Sequence, residues 1–168
     1  ILDWDVQVGQ IGVDVRLSNQ FIVFRRQNLS SFDEWQRNSA FTDPQLLQEE
    51  VVIPFGDSFV LHSGEMVLGA TFEYISMPQN LEGSIEGRSS WARVGLVNAT
   101  AVTIEPGFKG VITLELANLS NVPISLYPGS RIGQLICRET SSNTDYESKR
   151  KYTCPIGPEY SRLSVDPD

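Results

Sequence analysis

Residues Val102-Thr-Ile-Glu-Pro-Gly-Phe-Lys-Gly-Val-Ile-Thr-Leu-Glu-Leu116 carry the strongest hairpin signal in the chain. Two arms of alternating apolar residues flank Pro106-Gly107 and Gly110, which supply a fixed φ and access to positive φ. Pairing residue 105 with 111 sets 101 opposite 115. Alternation then places Ala101, Thr103, Glu105, Val111, Thr113 and Glu115 on one face. Outward from this stretch the same rhythm recurs in Gln20–Phe24, Glu50–Ile53, Ser58–Leu61, Met66–Phe72, Val97–Ile104, Val111–Leu116, Ile124–Leu126 and Ile132–Ile136. Breaks at Pro54/Gly56, Ser63-Gly64, Pro78, Gly83/Gly87, Pro106-Gly107, Gly110, Pro123 and Pro128-Gly129 separate these runs. The pattern predicts an all-β domain, a sandwich or small barrel.

Two segments interrupt the strand rhythm. Phe32–Glu50 is polar and reads as a loop insertion with a short helix near Pro44–Leu47. Ser89-Ser-Trp-Ala-Arg93 is long enough for one helical turn, with Ser as its N-cap. From Ser141 the chain turns polar and charged without a core pattern. The expected organisation is therefore a β core over residues 1–140 and a tail over 141–168, exposed unless a ligand or partner surface orders it.

The chain has 168 residues, 40% of them hydrophobic and 20% charged, enough for one substantial core. Thirteen Lys and Arg against twenty-one Asp and Glu give a net charge of -8, which repels nucleic acid at long range, so an anionic ligand needs a local basic cluster. Cys137 and Cys154 lack CxxC spacing and read as free thiols of a reducing compartment. No apolar run reaches the roughly 20 residues of a membrane span, and Ile1–Val6 has no signal-peptide pattern. The expectation is a cytoplasmic protein with no membrane partner. Asn-x-Ser/Thr triplets at Asn28, Asn98 and Asn118 read as chance without a secretory signal.

With one histidine, His62, and no CxxC pair, the zinc-deaminase signature cannot be assembled. There is no GxxxxGK[ST] loop. Carboxylates remain for acid–base work. Glu105 and Glu115 fall on one face of the predicted hairpin, about 13 Å apart along a strand, too far to share a proton or metal. Taken alone, Glu115 reads more readily as a solvated strand residue. Its place between Leu114 and Leu116 limits water access and favours a raised pKa. Glu86-Gly-Arg-Ser-Ser-Trp-Ala-Arg-Val-Gly95 combines backbone N–H groups of a Gly turn and helix start with the hydroxyls of Ser89 and Ser90 and the guanidinium groups of Arg88 and Arg93. This composition suits phosphate, although a capped surface turn would look the same. Tyr146 and Lys149-Arg-Lys151 in the tail offer stacking and charge, or form only a solvated charge run.

These residues together resemble the dCTP deaminases and the related deoxyuridine triphosphatases. The likeness runs through Ile11-Gly-Val-Asp-Val-Arg-Leu17, Leu61-His-Ser-Gly-Glu65, Gly87-Arg-Ser-Ser-Trp-Ala-Arg93, Ile104-Glu-Pro-Gly-Phe-Lys-Gly110, Ile112-Thr-Leu-Glu-Leu-Ala-Asn118, Arg131–Ile136 and, in the tail, Lys151-Tyr152 and Gly157-Pro158. It implies a distorted β-barrel or jelly-roll subunit and a homotrimer with active sites between subunits. It also implies a deoxypyrimidine triphosphate bound as its Mg²⁺ complex, and deamination without zinc. By the same resemblance Glu115 is the general base, helped by the backbone carbonyl of Ala101, and Glu105 takes the place of an aspartate that activates water for attack on phosphorus. Arg88, Ser89, Ser90, Arg93, Thr103, Phe108, Tyr146 and Lys151 fall in the binding role. The chain departs from the family in Glu105 for aspartate, Asn98 where many deaminases have histidine, Pro155 where the tail has glutamine, Trp91 where a smaller aliphatic is usual, and a shorter N-terminal end.

The implied activity is deamination of dCTP to dUTP, alone or followed by hydrolysis to dUMP and pyrophosphate. A deaminase-like dUTP diphosphatase without deamination is the alternative, favoured by Asn98 and Pro155. A non-catalytic nucleotide-binding regulator is the third reading.

Overall fold

The structure, a computed structural model, describes residues 4–25, 47–100, 103–141 and 154–161. They form β1 (Val13–Arg16), β2 (Gln20–Phe24), β3 (Gln48–Val52), β4 (Phe59–Leu61), β5 (Met66–Ala70), β6 (Ile75–Ser76), β7 (Leu81–Gly87), β8 (Leu96–Asn98), β9 (Lys109–Gly110), β10 (Thr113–Asn118), β11 (Ile124–Leu126) and β12 (Arg131–Glu139). Two helices of one turn accompany them, α1 (Trp4–Gln7) and α2 (Ser89–Ala92). The all-β expectation with short helical turns holds.

The ladders are antiparallel and make a five-stranded sheet in the order β3-β2-β5-β10-β8, a three-stranded sheet β1-β12-β7, and the pairs β11-β4 and β6-β9. Among the described residues no closed ring of strands is completed. In β10, Leu114, Leu116 and Asn118 are buried while Thr113, Glu115 and Ala117 are half-buried, the period-two pattern of a strand with one face in the core. Leu17, Phe21, Val67, Leu114, Leu116 and Leu126 are fully buried together, and Phe21 stacks on Phe59 with ring centroids 4.8 Å apart. Burying side chains of this size stabilises by roughly 1.5–3 kcal/mol each relative to exposure.

Three expectations are corrected. Gly83 and Gly87 were expected to break the chain, yet both lie in β7, which pairs with β12 from Gly133↔Gly87 to Glu139↔Leu81. A Cβ at position 83 would stand 3.0 Å from Leu135 Cδ1 and 3.3 Å from Met77 Cε. Glycine here thus answers to close packing within a strand rather than to a turn.

The hairpin Val102–Leu116 does not form in the predicted register. β10 pairs β8 with Leu116↔Asn98 and Ala117↔Val97, and the Ala99 N–H donates to the Glu115 carbonyl at 2.8 Å, so residue 115 faces 99 rather than 101. Ile104 crosses instead to bridge Gly83. The groups such a hairpin would use are committed elsewhere. Lys109–Gly110 pair with β6, Ile112 N–H donates to Thr71 Oγ1 at 2.9 Å, and Val111 N–H donates to the Pro155 carbonyl at 2.9 Å.

The third correction concerns the tail. Over Cys154–Ser161 it is not wholly exposed. Pro155 is buried, and the Glu159 N–H donates to Thr113 Oγ1 at 3.0 Å. These residues provide partners for the Val111 N–H, two residues before β10, and for the Thr113 hydroxyl at its start. The helix expected near Pro44–Leu47 falls largely within 26–46, outside the described residues. No helix among the described residues is long and apolar enough to cross a membrane.

Candidate active site

Glu115 sits in mid-β10 between two fully buried leucines, so alternation turns its carboxylate to the opposite face. On that face Leu68 of β5 is its direct neighbour, and Ile22 of β2 pairs with Leu68. Both are buried. Loss of water to this apolar surrounding pushes the Glu115 carboxyl pKa up from its ordinary value. The docked segment 154–161 reaches the same face at Thr113.

The backbone of Glu115 is held unusually. Residues opposed as 115 and 99 are here exchange two bonds in a regular antiparallel ladder. Ala99 donates to the Glu115 carbonyl at 2.8 Å, but the Glu115 N–H goes to the Thr100 hydroxyl oxygen at 2.9 Å. That hydroxyl donates to Asn98 Oδ1 at 2.7 Å.

The segment expected to bind phosphate follows β7. Arg88, with φ -76° and ψ 132°, is the N-cap of α2, and no side chain caps the helix. Ser is therefore not the cap, contrary to the expectation from sequence. Ser89 and Ser90 are the first helical residues, both exposed, and their hydroxyls are not spent on the helix's own N–H groups. Arg93 is exposed at the C-cap. Arg88 lies with Nη2 3.9 Å from Asp14 Oδ2, and Arg131 Nη1 approaches the same oxygen at 3.1 Å. Asp14 thus faces two guanidinium groups across the β1-β12-β7 sheet. Trp91 Nε1 donates to the Arg131 carbonyl at 2.9 Å, a use for the indole where a smaller aliphatic was expected. Between α2 and β8 lies a cavity of about 160 Å³ whose walls include Arg88, Trp91, Leu96, Asn98, Leu116 and Ile132.

Leu116 lines that cavity and Glu115 turns away from it. Among the described residues the cavity that Arg88 lines therefore does not include Glu115. Glu105 and Thr103 are exposed, on either side of Ile104, and Glu105 begins a turn closed by the Phe108 N–H to the Glu105 carbonyl at 3.1 Å. With the hairpin register gone, Glu105 and Glu115 do not share the single strand face that sequence suggested. Phe108 is half-buried and packs against the core. Ala101, Tyr146 and Lys151 lie outside the described residues. Among the described residues no three His, Cys, Asp or Glu side chains group to hold a metal ion.

Sequence reading did not single out Asp14 or Thr100. Asp14 carried a signal as an acid between Val13 and Val15, and Thr100 carried one in the Asn98-x-Thr100 spacing, which sets two polar side chains on one side of an extended chain.

Comparison with known proteins bears on the same residues. The sequence model of a family described as dCTP deaminase-like matches residues 2–140. A dCTP deaminase of Halorubrum lacusprofundi is 38% identical over 99% of this chain and 82% of its own. A dCTP deaminase, dUMP-forming, of Rhodococcus erythropolis is 43% identical over 96% of this chain and 86% of its own. Among solved structures, a 2'-deoxycytidine 5'-triphosphate deaminase from Agrobacterium tumefaciens superposes with a TM-score of 0.62 at 22% identity, covering 83% of this chain and 42% of that one. That likeness bears on the fold. With its family model spanning Glu115, the α2 segment and the strands that carry them, this chain belongs to the dCTP deaminase-like family.

Proposed function

We propose that this protein deaminates dCTP and continues to dUMP. The observation that carries the reading is the Glu115 carboxylate, held in mid-strand against Leu68 and Ile22 with its pKa raised by lost hydration. A carboxylate whose pKa is raised in this way holds a proton more tightly than a solvated one and is a better proton acceptor for it. In the proposed step water adds across C4=N3 of the cytosine ring: its oxygen bonds to C4 as Glu115 takes one of its protons and the C4=N3 electron pair moves to N3. Glu115 then gives that proton to the amino group, the C4–N bond breaks as ammonia leaves, and the remaining hydroxyl proton ends on N3 as C4=O forms to give dUTP. A second water then cleaves dUTP to dUMP and pyrophosphate, with Glu105 as the carboxylate toward the phosphates. The names of the relatives, several of them dUMP-forming, support the two-step outcome.

The triphosphate enters as its Mg²⁺ complex. Ser89, Ser90, Arg88 and Arg93 serve its oxygens, and Thr103, Phe108, Tyr146 and Lys151 complete the binding set, with the tail over 141–168 closing on the nucleotide. Because the α2 segment and Glu115 open to different sides of the sheet, one nucleotide reaches both only if different subunits supply them. This supports a homotrimer, for which light scattering should give three times the 18.7 kDa chain mass.

Incubating the protein with Mg²⁺ and either dCTP or dUTP, and separating the products by chromatography, tests the reading. Ammonia and dUMP from dCTP support it. Hydrolysis of dUTP with no ammonia from dCTP would replace it by the diphosphatase reading, which Asn98 in place of histidine favours. Binding without product would leave a nucleotide-binding regulator.

A further inference from the structure

We propose that Thr100 is the positioning residue of Glu115 and that Asn98 sets the direction of its hydroxyl, so that Asn98, Thr100 and the Glu115 backbone act as one unit. The inference rests on the reading of Glu115 as the general base.

The β8 strand ends at Asn98, one residue before the position facing Glu115, so the regular ladder stops where the carboxylate must be fixed. A hydroxyl replaces the missing carbonyl. Thr100 Oγ1 accepts the Glu115 N–H at 2.9 Å, and its own hydrogen is committed to Asn98 Oδ1 at 2.7 Å. A hydroxyl has one hydrogen and two acceptor lone pairs. Giving that hydrogen to the Asn98 carboxamide oxygen leaves a lone pair for Glu115. Asn98 Oδ1 also lies 3.4 Å from the Thr100 backbone nitrogen, which fixes the residue that immediately precedes Ala101. The same unit therefore ties the strand carrying the base to the entrance of the Thr100–Ala101 peptide. A misplacement of about 1 Å at such a group costs on the order of 10²-fold in rate.

The ionisable residues that these contacts bring toward the Glu115 face are Glu159, whose N–H binds Thr113, with Tyr160 beside it in the chain, and Glu50, paired with Ile22. The facing stretches Met66–Ala70 and Leu96–Thr100 carry none. Ordering of the Glu115 backbone and exclusion of water, rather than a neighbouring charge, are then what Thr100 controls.

The test compares Thr100→Val, which keeps the shape but removes both hydrogen bonds, with Thr100→Ser, which retains the hydroxyl. Asn98→Ala and the double variant Asn98→Ala/Thr100→Val complete a cycle. In Thr100→Val, kcat for ammonia release should fall about 10- to 100-fold with KM within about threefold. The acid limb of its pH profile should move to lower pH as water reaches the carboxylate. Thr100→Ser should stay within about threefold of the parent, and the double variant should be no slower than Thr100→Val, because the two residues form one unit. Exchange of the Glu115 amide hydrogen should accelerate at least about tenfold in Thr100→Val and not in Thr100→Ser. An unchanged kcat and amide exchange in Thr100→Val, or losses that simply multiply in the double variant, overturns the proposal. If the parent releases no ammonia, the deaminase reading falls, and amide exchange together with titration of the Glu115 carboxyl still decides whether Thr100 positions it.

Discussion

Gly110 and Pro155 meet so closely that no side chain fits between them: a Cβ at position 110 would lie 2.7 Å from Pro155 Cγ and 3.0 Å from its nitrogen. Gly110 also has φ 151°, where L side chains are strained. The contact docks the segment 154–161 at the start of β10, on the Glu115 face. Gly110→Ala should expel Pro155, break the Val111 N–H to Pro155 carbonyl bond and free the segment, while leaving most of the core intact. Limited proteolysis should then cut within 154–161 faster than in the parent, with KM for dCTP raised several-fold. Equal protection of both chains would show that this docking is not what holds the segment.

A second expectation concerns Asn118, fully buried beside the core. Its Nδ2 donates to the carbonyls of Leu61 at 3.0 Å and Val122 at 2.8 Å, and its Oδ1 accepts from Ser120 N at 2.9 Å and Ser120 Oγ at 2.8 Å. The triplet Asn118-Leu-Ser120 is thus occupied by structure in the folded chain. Asn118→Ala removes the amide that serves the Leu61 and Val122 carbonyls and should cost about 1–3 kcal/mol. Asn118→Asp should cost at least as much, since a carboxylate facing two carbonyl oxygens repels where the amide donated. Urea unfolding at fixed protein concentration measures both. A shift in midpoint below that expected for about 1 kcal/mol would show that the loop from 118 to 122 rearranges.

Much of the strand set was legible because short alternating runs such as Ile124–Leu126 and Gln20–Phe24 declare themselves by period. Glu115 was legible for the same reason, an acid between leucines in an alternating stretch. The β7 strand was not, since Gly83 reads as a break until Leu135 and Met77 are seen to need its space. The hairpin was over-read because the groups that displace its ladder, Thr71 and Pro155, lie far away in sequence and show no local signal. Nor does any spacing reveal that Asp14 faces Arg88 and Arg131 together, because that meeting exists only once β12 has paired with both β1 and β7.

The raised pKa of Glu115 makes a claim about stability. A carboxyl whose pKa is higher folded than unfolded binds more protons in the native state between the two values, so stability falls as pH rises through that window. The relative gain is fully present below the unfolded value, about 4.3 for Glu, and is lost above the folded one. Glu115→Gln removes the titration and should melt progressively higher than the parent as pH rises through the window. Melting curves of both chains from about pH 3.5 to 8 measure this. Parallel curves would show that burial does not perturb the carboxyl.

The two carboxylates are expected to serve different bonds, although the structure removes the shared hairpin face from which a separation was first argued. Glu115 lies half-buried on the sheet, whereas Glu105 is exposed at the head of the 105–108 turn. A base that must accept a proton from water at C4 benefits from the first environment. A carboxylate that works beside a solvated Mg²⁺ triphosphate is suited to the second. Glu115→Gln preserves shape and removes the proton acceptor, a loss typically worth on the order of 10²- to 10⁴-fold, so ammonia release from dCTP should collapse while nucleotide binding persists. Pyrophosphate release from added dUTP should change far less. Glu105→Gln should reverse the pattern, and chelation of Mg²⁺ should stop both reactions in the parent. Ammonia and pyrophosphate measured in parallel for the parent and both variants decide the matter. If Glu115→Gln still deaminates dCTP at the parent rate, Glu115 is not the base, and if both variants lose both activities alike, the two carboxylates do not divide the chemistry.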